Sequence, residues 1–88
     1  MRHKQWTVEI HILEDDNDDL TRARAVLITR TGRRHESVGY ARRNPADRPV
    51  PEIGDELAAG RALADLADKL TGDAADDVAQ LAGQSRQG

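Results

Sequence analysis

The chain has 88 residues, no cysteine and only two aromatic side chains, Trp6 and Tyr40. Its core must therefore be aliphatic, and neither a disulfide framework nor a cysteine-ligated zinc is open to it. The net charge of −3 is unevenly placed: residues 1–50 carry ten Arg and Lys against eight Asp and Glu, and residues 51–88 carry three against eight.

No apolar run approaches the roughly 20 residues of a membrane span. Met1-Arg2-His3-Lys4 leads straight into alternating residues rather than a secretory h-region, so a cytoplasmic chain is expected. One α+β domain over residues 1–82 is expected, with its core at 5–70. A core this thin leaves packing, or packing plus self-association, to hold the fold.

Residues 5–14 alternate: Trp6, Val8, Ile10 and Ile12 on one face, Thr7, Glu9, His11 and Leu13 on the other. This is the pattern of a half-buried strand. The Asp15-Asp16-Asn17-Asp18-Asp19 cluster reads as a hairpin loop, since Asx side chains bond to their own backbone in turns. Residues 20–31 form a second strand whose Val26-Leu27-Ile28 is apolar on both faces. One helix covers one face, so a second copy of the chain is the simplest cover for the other.

After a turn at Gly32-Arg33-Arg34, residues 35–42 predict a third strand with Val38 and Tyr40 on one face. Gly39 marks either a bulge or a close backbone approach. Residues 42–51 hold all three prolines and read as a crossing loop. A long helix then runs from Ile53 or Asp55 to Leu70, with Asp55 as N-cap. Its apolar stripe is Leu57, Gly60, Ala64 and Ala67, flanked by Leu63, Leu66 and Leu70. Thr71-Gly72-Asp73 stops it, 74–82 form a short final helix, and 83–88 a disordered tail.

The run from Gly39 to Asp47, followed by Val50 to Ala59 and Arg61 to Leu66, resembles a family of small uncharacterised actinobacterial proteins. Trp6-Thr7-Val8 and Thr21 to Leu27 match the same family's first two strands. The resemblance implies a double-stranded-RNA-binding-domain-like β-β-β-α topology and, by family analogy, a regulatory or stress-linked role. It does not imply RNA binding. A true domain of that type has a leading helix and a lysine cluster opening its last helix. Here the chain enters a strand at once, and the last helix opens with Glu52, Asp55 and Glu56.

No constellation supports catalysis, a metal or a cofactor. His11 and His35 fall on strands separated by a third. The acidic hairpin lacks the central glycine and flanking helices of a calcium loop. Ser37 has no glycine elbow, and the glycines make no phosphate-cradling pattern.

Two candidate surfaces stand out. The first is Arg42, Arg43, Asn44, Asp47 and Arg48 in the crossing loop, with Glu52, Glu56 and Arg61 nearby. It reads either as arginine forks for an anionic partner or, preferably, as side chains pinning a loop poor in apolar residues. The second is the open sheet face, with His11, Leu13, Val26 and Ile28 rimmed by Arg22 and Arg24. The chain reads as a non-enzymatic interaction module, a homodimer or the ligand of an unidentified protein. Nucleic-acid binding through strand and loop arginines is the alternative, disfavoured by the acidic balance and scarce aromatics.

Overall fold

A computed structural model describes residues 1–87, with side chains described through Gly83. The order is β1 (Val8–Asp15), β2 (Leu20–Ile28), β3 (Arg34–Arg42) and α1 (Pro51–Gln87). The strands form one antiparallel sheet, β1-β2-β3, and the helix crosses one face of it. The expected α+β architecture of three antiparallel strands and a C-terminal helix is what the chain adopts.

Local chemistry fixes both hairpins. Asp15 Oδ1 accepts the Asn17 amide at 3.0 Å, and Asp19 takes the left-handed conformation (φ 51°) that an Asx side chain tolerates. In the second turn Gly32, at φ 86°, donates its amide to the Thr29 carbonyl. Trp6 and Thr29–Thr31 lie outside the strands.

Register decides the faces. Val8 opposes Leu27, Ile10 opposes Ala25 and Ile12 opposes Ala23, while Ala23, Ala25 and Leu27 oppose Gly39, Ser37 and His35. Directly opposed residues share a face. This whole set therefore lies on the side that the helix crosses. The residues between them, including Glu9, His11, Leu13, Arg22, Arg24, Val38 and Tyr40, lie on the open side.

The core is built from small residues. Ala23, Ala25, Leu27 and Ala41 from the sheet meet Ala58, Ala62 and Leu66 from the helix, with Ala59 and Leu70 against them. Gly39 permits this closeness. A Cβ there would overlap the Ala58 carbonyl oxygen and the Ala62 amide nitrogen, and would lie 2.9 Å from the Arg61 carbonyl carbon. The register through Gly39 is unbroken, so it marks a close approach and no bulge.

Four expectations for the helix are corrected. It begins at Pro51, whose fixed φ and missing amide suit the first helical position, and Asp55 lies inside the first turns rather than at the cap. The buried stripe is Ala58–Ala62–Leu66, whereas Leu57 and Leu63 are 49% and 39% exposed and Gly60, Ala64 and Ala67 are exposed. The helix is thus rotated from the expected stripe, and of the expected flank Leu66 is buried and Leu70 packs against the core.

Third, Thr71-Gly72-Asp73 does not stop the helix. Thr71 Oγ1 donates to the Ala67 carbonyl at 2.9 Å, and Asp73 is tied to the sheet by His35 Nδ1 at 3.2 Å. Tertiary contact overrides the weak propensity of Gly72. Fourth, the expected final helix and tail are one continuation to Gln87, Gly88 lying outside the described residues.

The helix of 37 residues is thus about 55 Å long. It gives the molecule extents of 63 × 28 × 19 Å and a radius of gyration of 17.8 Å. A compact chain of this length would have about 12 Å.

Candidate interaction surfaces

The crossing loop packs on the first hairpin and leaves a cleft of about 560 Å³. Its lining includes Glu14, Asp16 and Asp19 from the hairpin, Arg42, Arg43 and Arg48, and the apolar Val50, Ile53 and Leu57. Two of these arginines, Arg42 and Arg43, are engaged. Arg43 Nη2 donates to Asp19 Oδ1 at 2.7 Å, and its Nη1 donates to the Asp47 and Asn44 carbonyls. Its own amide bonds the Asp19 carbonyl at 2.8 Å. Asn44 Oδ1 accepts the Ala46 amide at 3.0 Å, and Arg42 reaches the Asp18 carbonyl at 3.4 Å.

Arg43 therefore ties the loop to the left-handed residue of the hairpin. Within this network Asp47 takes part through its backbone carbonyl and amide rather than its side chain. The structure does not bring Glu52, Glu56 or Arg61 into the cleft: neither glutamate lines it, and Arg61 donates instead to the Tyr40 carbonyl at 2.6 Å.

No pattern in the chain announces that Glu14 and Asp55 come together. Hydrogen bonding to the neighbouring Asp55 carboxyl group, together with repulsion from its charge, raises the Glu14 pKa from its ordinary value. Asp55 Oδ1 is buried without a partner. At the sheet's other end Arg33 reaches Asp77 at 3.0 Å and His35 reaches Asp73, ties that only the helix's unforeseen length makes available. His11 and His35 lie on opposite faces of the sheet. Among the described residues no group of three His, Cys, Asp or Glu is placed to hold a metal ion, and no helix is long and apolar enough to cross a membrane.

The open sheet face holds His11, Leu13, Val26 and Ile28 together, as alternation requires. Arg22 and Arg24 occupy the centre of this face, not its rim, because β2 is the middle strand. Its rows are Leu13–Arg22–Tyr40 and His11–Arg24–Val38. Glu36 sits among the arginines, 3.5 Å from Arg24 and 3.1 Å from Arg34. Trp6 does not follow Val8 onto the helix side. It lines a shallow hollow with Val26 and Ile28.

A third surface emerges only from the structure. The helix lies over β3 and β2 and barely reaches β1. Val8, Ile10 and Ile12, on the side that should be covered, are left 37%, 38% and 44% exposed. Arg61 and Lys69 reach carbonyls of β3, which places them on the helix flank toward β3. Leu63, two residues from Arg61 and so about 200° around the helix, lies on the opposite flank, toward β1, while Leu70 packs against the core. An apolar trough thus runs between β1 and the helix.

The Rv2632c-like family model matches residues 4–87. The uncharacterised protein Rv2632c of Mycobacterium tuberculosis is 50% identical over 68 residues, spanning 77% of this chain and 72% of the relative. The uncharacterised protein Mb1767 of Mycobacterium bovis is 52% identical over 67 residues, 76% and 68% of the two chains. The crystal structure of Rv2632c superposes with a TM-score of 0.80 at 42% identity, covering 91% of this chain and 92% of that one.

Proposed function

The chain belongs to the Rv2632c-like family, and we propose that it is a non-enzymatic, cytoplasmic interaction module of regulatory role that works by associating with a second copy of itself. The observation that carries this reading is the trough. Three β-branched residues of β1 and Leu63 are all more than a third exposed on the inner side of a sheet whose other strands are sealed there. Contiguous apolar area of this kind marks a contact surface. The engagement of Arg42 and Arg43 in the cleft and the absence of a convergent nucleophile, base and oxyanion donor among the described residues argue against chemistry.

Sedimentation equilibrium across the micromolar range tests the reading. A concentration-dependent dimer is expected, and a strict monomer throughout that range would refute it.

A second reading concerns an anionic partner on the open face. The row Leu13–Arg22–Tyr40 places a guanidinium between an aliphatic and an aromatic side chain, and Arg24 lies one row along. That arrangement suits a single-stranded nucleic acid, with stacking and phosphate contact side by side. Glu36 among the arginines weakens it. A low-salt gel shift with single-stranded RNA, lost in Arg22→Ala/Arg24→Ala, would favour it; no shift at low salt would dismiss it.

A further inference from the structure

The two edges of the sheet are unlike. Arg61 and Lys69 descend from the helix and donate to the Tyr40 and Glu36 carbonyls, at 2.6 and 2.9 Å. Cations bonded along an edge occupy the acceptors that an added strand would need. The edge of β1 shows no such guard among the described residues. It is eight residues long, contains no proline and carries no Lys or Arg.

The ladder's phase shows which groups face that edge. Arg43 N bonds the Asp19 carbonyl and Thr29 N bonds the Arg33 carbonyl, so odd-numbered residues form the hydrogen-bonded pairs between β2 and β3. Alternation then turns even-numbered residues of β2 toward β1, and odd-numbered residues of β1 toward β2. The amides and carbonyls of Val8, Ile10, Ile12 and Glu14 are left pointing outward.

Resting on the self-association proposed above, we infer that β1 pairs antiparallel with β1 of a second copy about a two-fold axis through Ile10, making one six-stranded sheet. The segment Val8-Glu9-Ile10-His11-Ile12 complements itself in that register. On the trough side Val8 of one copy opposes Ile12 of the other, and Ile10 opposes Ile10. On the open side each Glu9 opposes a His11. Centring the axis on Glu9 sets two glutamates face to face. Centring it on His11 sets histidine against histidine and Val8 against Glu14. This self-complementarity favours a second copy over a strand from another protein.

The absence of native cysteine makes the register directly measurable. Residues paired on the axis have Cα atoms about 5.5 Å apart, within the span of roughly 4.4–6.8 Å that a disulfide bridges. In the same register two copies of residue 12 are about 14 Å apart along the strands. Ile10→Cys should become a covalent dimer on mild oxidation, and Ile12→Cys should stay monomeric on a non-reducing gel, with circular dichroism checking that both keep their helix.

A wild-type chain that sediments as a dimer, with Ile12→Cys linking as well as Ile10→Cys or neither linking, would overturn the register and leave self-association standing. A monomeric wild type would overturn both. As an independent readout, Glu9→Lys should weaken the dimer, and adding His11→Glu to it should restore the affinity. Failure of that rescue also counts against the register.

Discussion

Replacing Gly39 by alanine tests how the helix is seated. The added methyl group would overlap the Ala58 carbonyl oxygen and the Ala62 amide nitrogen, both of them helix backbone that no rotamer change can move aside. Restoring ordinary contact requires the helix to lift by about 1 Å, which also loosens Ala23, Ala25 and Leu27 beneath it. Overpacking of this kind costs about 1–3 kcal/mol, and the upper end applies because the backbone must yield. At about 4–8 °C per kcal/mol for a domain of this size, the melting temperature should fall by roughly 12–24 °C. Thermal unfolding followed by circular dichroism at the helix band measures it. A fall of less than about 4 °C would mean that the helix does not rest on Gly39 and that the core has been wrongly assigned.

Ser37 is 1% exposed with its hydroxyl unpartnered, so Ser37→Ala removes a desolvated group and should stabilise the fold by about 1 kcal/mol in urea unfolding; a loss would reveal a hidden partner. Gly72 has open space where a Cβ would go and sits inside a helix, so Gly72→Ala should stabilise by about 1 kcal/mol. An unchanged midpoint would instead suit a helix broken at Thr71. Glu14 has its folded pKa raised by Asp55, so its contribution is full when it is protonated, below its unfolded pKa, and is lost as pH rises through the folded value. Stability of the wild type relative to Glu14→Gln should therefore decline from acid toward neutral pH; a difference that does not vary with pH would show that the carboxyl groups do not interact.

What was legible in the sequence was local. The alternation of Val8 to Leu13, the Asx-rich hairpin and the three prolines before the helix are patterns whose causes lie within a few residues. The rotation of the helix was not legible, because it depends on Gly39 admitting the backbone between Ala58 and Ala62, a contact across about 20 residues of chain. Leu57 and Leu63 advertise burial by size, yet a helix seated that deeply buries methyl groups instead. The length of the helix was obscured for a similar reason: Gly72 is a weak point only until Asp73 and Asp77 are held by His35 and Arg33. The Glu14–Asp55 pair was not legible, since nothing in sequence announces that two carboxyl groups will touch.

Amide hydrogen exchange at Ile10 bears most directly on the idea that β1 is completed by another copy. At concentrations where the chain is associated, the Ile10 amide should exchange slowly, in company with Val8 and Ile12, and should lose that protection on dilution. Rapid exchange at all three positions, whatever the concentration, would leave the strand's outer edge facing water and contradict the account.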